Sequence, residues 1–161
     1  IRLSLVGSEM CIRDRALGGG FPVGAMITKK SFMNKFQKNP ILGHITTFGG
    51  HPVIAAAGFK SLSIILKERL SEKTLDKERL FRSLLKHPYI QEIRGKGLMI
   101  ALILKNEKLA NQLVLKSLDN GLILFWLLYE KKAVRITPPL NISKTEIKKG
   151  CKIILSILNS I

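Results

Sequence analysis

Apolar positions along the chain recur with two periods, and the switches between them predict an alternation of helices and strands. Residues 25–28 read as a short buried strand. Residues 29–37 follow as a helix that Asn39-Pro40 ends, and residues 41–50 as a loop holding Thr46, Thr47 and paired glycines. Pro52 then opens a long helix in the first turn, where its missing N–H costs nothing. Ala55, Ala56, Ala57 and Gly58 keep that helix slim enough for close packing. Leu75, Leu80, Phe81, Leu84 and Leu85 define a second helix over 74–86, stopped before Pro88. Strands follow at 90–94 and 98–104 on either side of Gly95-Lys96-Gly97, then a helix over 107–120 with Gly121 as its left-handed C-cap. Two further strands, 122–128 and 133–137, are joined through Glu130-Lys131-Lys132. The last helix opens on Ser143 with Glu146 three residues on, a capping-box signature. Ile147, Cys151, Ile154, Leu155 and Leu158 form its buried stripe. This is an α/β or α+β pattern, with a domain boundary expected between the two long helices.

The 161 residues amount to one average domain by length, and 46% hydrophobic content is enough to build a core. A net charge of +16 raises the question of nucleic acid or anionic membranes as partners. The lysines are spread over several helices without a dense block or aromatic interleaving, so solvated helix faces explain them better than a phosphate-tracking groove. A free-standing basic nucleic-acid-binding module stays open as the non-enzyme alternative. Cys11 and Cys151 form neither a zinc spacing nor a disulfide framework, which fits a reducing cytoplasm, and no metal site is expected. The longest apolar run, 121–129, falls well short of the ~20 residues that span a bilayer.

Residues 5–14 show no helical stripe, strand alternation or turn logic. They resemble the translation of a transposase-type sequencing adapter, whose last two bases, completed by the final base of a lysine codon, would encode the arginine at position 15. Residues 1–15 are accordingly set apart from fold reasoning as non-native; the alternative is an ordinary N-terminal extension.

Four segments carry chemistry. The first is Ala16-Leu17-Gly18-Gly19-Gly20-Phe21-Pro22-Val23-Gly24-Ala25, whose glycines let backbone pass close to a ligand or another chain. The second is Ile45-Thr46-Thr47-Phe48-Gly49-Gly50-His51-Pro52. Its hydroxyls, glycines and the N-terminus of the Pro52 helix make an anion-friendly corner, or else a helix-capping loop using threonine and glycine for geometry alone. His51 could cap the helix, and His44 reads as a loop residue. In the third, Arg94-Gly95-Lys96-Gly97-Leu98-Met99, the glycines allow a tight passage between strands, with a phosphate contact by Lys96 as the lesser option. The fourth is Val134-Arg135-Ile136-Thr137-Pro138-Pro139-Leu140. Here the planar fork of Arg135 suits a carboxylate, and an ion pair is the ordinary alternative.

In order and spacing these segments resemble the class III aminotransferases of fold type I, pyridoxal-phosphate enzymes that include acetylornithine and ornithine aminotransferases. The resemblance covers the chain from Ala16 nearly to Ile161. It implies that residues 16–70 close a large cofactor-binding domain and that residues 71–161 form the small C-terminal domain. It implies Thr47 as a ligand of the pyridoxal 5'-phosphate phosphate across a homodimer interface, Thr46 as a substrate-side contact, and Arg135 as the residue engaging a substrate carboxylate. Arg15 stands where the family has its Schiff-base lysine. A guanidinium, charged at any ordinary pH, offers no free amine lone pair to an aldehyde, so no catalytic residue is assigned and this chain is expected to be inactive as written. The parent would move an amino group from an amino acid or ω-amine, of acetylornithine, ornithine or 4-aminobutyrate type, to a 2-oxo acid. A class III aminomutase or decarboxylase would share the glycine segment. His51 departs from the asparagine usual at its position.

Overall fold

The computed structural model describes residues 17–25, 29–38 and 45–161. Two compact units divide between Glu68 and Arg69. The expected strand at 25–28 falls mostly outside the described residues, with Ala25 itself in no strand, and His44 and Arg15 also lie outside them.

In the first unit the helix expected over 29–37 is split into α1 (Lys30–Met33) and a 3-10 turn (Asn34–Gln37). Neither piece holds a buried residue, and a helix this short without a buried face has little to propagate it. α2 (Pro52–Lys67) begins on its proline as expected. Of the small residues thought to slim it, Gly58 is buried and Ala57 half-buried, while Ala55 and Ala56 are exposed. The close approach is therefore confined to one side, where a Cβ on Gly58 would lie 3.4 Å from the Leu17 carbonyl oxygen.

The second unit begins with α3 (Leu70–Leu84), four residues ahead of the expected start. The buried Leu70 anchors the additional turn, and Leu75, assigned to the stripe, is exposed. Arg69 precedes the helix in the left-handed region at φ 51° and pairs with Glu72. Then come β1 (Ile90–Lys96), β2 (Met99–Leu104), α4 (Glu107–Asp119), β3 (Phe125–Trp126), β4 (Ala133–Ile136) and α5 (Lys144–Asn159). The strands form one antiparallel sheet in the order β1-β2-β4-β3.

Strand alternation sorts the sheet into two faces. Leu98, Ile100, Leu102 and Leu104, with Val134 and Ile136, join Phe81 and Leu85, Leu113 and Val114, and Ile147, Cys151, Ile154 and Leu158 in one core. That core is helices against one side of an antiparallel sheet, an α+β layering. Arg94, Met99, Ala101, Phe125 and Arg135 belong to the alternate positions.

β3 is two residues long where seven were expected. Leu122 is drawn into the end of α4 instead: its N–H bonds to the Ser117 carbonyl at 2.9 Å while the Gly121 N–H bonds to Leu118 at 3.1 Å. With Gly121 at φ 70° this is a Schellman ending, which fulfils the C-cap expectation but takes the strand's first residue. The capping box of α5 forms in both directions, Glu146 N–H to Ser143 Oγ at 3.2 Å and Ser143 N–H to Glu146 Oε2 at 2.7 Å. In the same helix Leu155 is only half-buried, and Ile157 is buried in its place. At about 100° per residue the two positions flank the stripe on opposite sides, so the sequence period does not choose between them.

The hairpin of β1 and β2 is held to α3 by side chains. Arg82 pairs with Glu78 at 2.8 Å and donates to the Ile93 carbonyl at 2.6 Å and the Gly95 carbonyl at 2.9 Å. Glu78 in turn accepts the Gly97 N–H at 2.5 Å. Gly95 sits at φ 114°, and a Cβ there would lie 1.9 Å from the Met99 carbonyl oxygen, so only glycine fits the bend.

Candidate functional site

The first unit builds its corner from two turns and a helix end. The N–H of Gly49 bonds to the Thr46 carbonyl at 3.0 Å, and that of His51 to the Phe48 carbonyl at 3.2 Å. Gly50 occupies the third position of the second turn at φ 75°, as a type II turn demands. The backbone thus delivers Thr46 and Thr47, both exposed, to the N-terminus of α2. His51 takes the N-cap position, at φ −53° and ψ 123°, but makes no side-chain capping bond, so the capping role suggested for it is not found. The first turn of α2 consequently keeps N–H groups with no side-chain cap at the positive end of a 16-residue helix.

Beside this corner lies a cleft of about 200 Å³ bounded by Pro22, Val23, Gly24, Thr46, Gly50 and His51. The glycine segment reaches it through a turn closed by the Phe21 N–H on the Gly18 carbonyl at 3.2 Å. Thr46 lines the cleft. Thr47 does not line it and is exposed.

In the second unit the sheet register sets Arg94, Ala101, Arg135 and Phe125 in one row across β1, β2, β4 and β3. Arg94 is already engaged, with its Nε 2.7 Å from a Glu92 carboxylate oxygen. Arg135 has no ion pair among the described residues, and its buried Nε has no hydrogen-bond partner there. Its guanidinium carbon lies 5.2 Å from the centroid of the Phe125 ring, within cation–π range. Ala101, the neighbour on the other side, offers only a methyl group. Arg135 borders a cleft of about 310 Å³ with Met99, Ala101, Leu127, Ala133 and Thr137. It also borders a smaller one of about 150 Å³ with Leu122, Pro138 and Ile142. The ion-pair alternative raised for Arg135 therefore has no partner among these residues.

Lys96 is exposed at the end of β1, in a hairpin whose glycines serve the turn and the contact with α3. Phe125 and the pair Glu78 and Arg82 escaped sequence reasoning. Phe125 was assigned to a strand but not to Arg135, because cross-strand partners depend on register. Glu78 and Arg82 carry the i,i+4 spacing of an ordinary helix-surface pair, and nothing in that spacing points to a hairpin. Cys151 is buried, and burial pushes its thiol up to about 11, so it stays protonated at neutral pH. Among the described residues no cluster of His, Cys, Asp or Glu could hold a metal ion, and no helix is long and apolar enough to cross a membrane.

Comparison with known proteins shows the family to which the chain belongs. The family described as aminotransferase class III matches residues 6–158, a span that takes in part of the adapter-like stretch. The chain is 36% identical over 152 residues to the acetylornithine aminotransferase of Caldanaerobacter subterraneus subsp. tengcongensis, covering 91% of this chain and 37% of that protein. It is 35% identical over 159 residues to the ornithine aminotransferase of Plasmodium chabaudi chabaudi, covering 93% of this chain and 37% of that one. Among solved structures, the acetylornithine aminotransferase from Elizabethkingia anophelis superposes with a TM-score of 0.80 at 29% identity, over 91% of this chain and 38% of that chain. The chain thus spans little more than a third of the length of these relatives. The four motifs, the fold of both units and the family match over nearly the whole sequence make this chain a member of the class III aminotransferases.

Proposed function

We propose that this chain is the C-terminal portion of a pyridoxal-phosphate-dependent aminotransferase. In this reading residues 16–70 close the large cofactor-binding domain and residues 71–161 form the small domain. The parent transfers an amino group from an amino acid or ω-amine of acetylornithine, ornithine or 4-aminobutyrate type to a 2-oxo acid. It works as a homodimer in the cytoplasm. The observation that carries the reading is Arg135: an arginine with a buried Nε lacking a partner, no ion pair among the described residues, and a cleft beside it. Such a group is costly unless an anion completes it.

The corner at Thr46–His51 fits the phosphate end of pyridoxal phosphate. Thr47 offers a hydroxyl, and the first turn of α2 offers N–H groups without a side-chain cap. When bound, the cofactor supplies the electron sink that lets an amino group leave one carbon skeleton for another. The chain's own residues bind and orient. Thr47 would donate to the phosphate of the neighbouring subunit's cofactor, Thr46 borders the cleft where substrate atoms would lie, and Arg135 would grip a carboxylate through its planar fork. A fixed carboxylate leaves the reacting carbon little freedom to rotate, which is what positioning contributes to rate.

The test is amino transfer from N-acetylornithine, ornithine and 4-aminobutyrate to 2-oxoglutarate by a longer gene product carrying lysine at position 15. Turnover with at least one donor is expected. Loss of carbon dioxide or migration of the amino group within one molecule, without transfer, would replace this reading by the decarboxylase or aminomutase one. The 161-residue chain itself, with Arg15, is expected to transfer nothing.

A further inference from the structure

We infer that Phe125 is a positioning residue for Arg135: its ring fixes the direction of the guanidinium and so decides on which side an anion can approach. Three observations meet here. Phe125 and Arg135 are directly paired across β3 and β4, so their side chains stand on the same face of the sheet. The guanidinium carbon is 5.2 Å from the ring centroid, close enough for the cation to be held by the ring's negative face. On the opposite side of Arg135 the register partner is Ala101, which bears no bulk that could hold the fork. Of the two cross-strand neighbours of Arg135 only the ring is bulky, and the space over Ala101 is left as the approach.

Aromatic stacking holds an arginine without consuming its donors. A carboxylate partner would orient the side chain equally well, but it would occupy the N–H groups that an incoming anion needs. Glu92 does this to Arg94, two strands away in the same row. Phe125 leaves the fork of Arg135 free, and the buried Nε without a partner is the expected companion of that arrangement. β3 is only two residues long, and one of them is this phenylalanine. The neighbouring residue, Trp126, donates its indole N–H to Asn111 of α4 at 2.7 Å and so ties the short strand down.

The consequence for substrate rests on the proposed role of Arg135 as the carboxylate-binding residue, but the contact with the ring can be tested apart from it. In the 161-residue chain labelled with 15N-arginine, the Arg135 Nε–H resonance is identified by its loss in Arg135→Lys. It should carry an upfield ring-current shift that disappears in Phe125→Leu and returns in Phe125→Tyr, which restores a ring. An Nε–H position unchanged by Phe125→Leu, with the fold intact by circular dichroism, would overturn the inference. Titration with 2-oxoglutarate then separates the two claims. Phe125→Leu should weaken the apparent affinity about threefold to tenfold, with Phe125→Tyr close to the unsubstituted chain. Perturbation of equal midpoint in all three proteins would remove Phe125 from the anion's path. No perturbation in any of them would count against the carboxylate reading of Arg135 while leaving the ring-current result to decide the contact.

Discussion

The carboxylate of Glu78 accepts the backbone N–H of Gly97 at 2.5 Å, across nineteen residues of chain. Through this bond and the adjoining Arg82 contacts, one turn of α3 grips the hairpin that begins the sheet. The Gly97 N–H first, and the Arg82 side chain second, hold the Glu78 carboxyl below its ordinary value of 4.5. A depressed value in the folded state means that the contribution is present above the unfolded value and is lost as pH falls through the folded one. Glu78→Gln should therefore lower stability by about 1–2 kcal/mol at pH near neutral. The difference from the unsubstituted chain should shrink on acidification below the ordinary carboxylate range. Urea unfolding at a series of pH values reads both effects.

Gly95→Ala is expected to be worse than Gly97→Ala. At Gly95 the added methyl would meet the Met99 backbone at 1.9 Å, and backbone there cannot retreat without breaking the hairpin register. At Gly97 the nearest atoms are the Thr74 side-chain oxygen at 2.9 Å and its Cβ at 3.2 Å, a milder clash than with the Met99 backbone, although the Gly97 φ of 61° still disfavours alanine. Thermal unfolding should place Gly97→Ala between the unsubstituted chain and Gly95→Ala. The reverse order would mean that the hairpin is not held as described.

Ser143→Ala should remove about 1 kcal/mol by breaking the forward half of the capping box. The Glu146 carboxyl, held below its ordinary value first by the Ser143 side chain and then by the Ser143 backbone N–H, should titrate at higher pH in that variant. Carboxyl chemical shifts followed against pH measure this directly.

Cys151 should resist alkylation in the folded chain at pH 8 and react once the chain is unfolded. Its thiol is buried in the core and pushed up to about 11, which leaves little thiolate. Mass mapping of iodoacetamide adducts with and without denaturant distinguishes this from an accessible thiol.

How much of this was legible in the sequence depended on whether the deciding interaction was local. The capping box of Ser143 and Glu146, the proline opening α2 and the glycine ending α4 are local devices, and all three were readable from a few adjacent residues. Where a distant partner decides, the reading was displaced. α3 starts earlier because Leu70 finds burial. The local ending of α4 had a second effect that was not read, since its Schellman turn takes Leu122 out of β3. Arg135 was singled out by its motif, whereas Phe125 became visible only through strand register, since nothing in the nine intervening residues announces that the two stand opposite. Thr47 was read as a phosphate ligand across a subunit interface and Thr46 as a substrate-side contact. The turn geometry separates them, with only Thr46 lining the cleft.

The central claim is that Arg135 supplies the carboxylate grip of an aminotransferase, and steady-state kinetics on the longer gene product with lysine at position 15 test it most directly. Arg135→Ala should lower kcat/KM for 2-oxoglutarate by about 10- to 100-fold, the worth of a charge-assisted hydrogen-bonded contact, with the far-ultraviolet circular dichroism unchanged. An Arg135→Ala enzyme that transfers amino groups to 2-oxoglutarate as efficiently as the unsubstituted one would contradict the account.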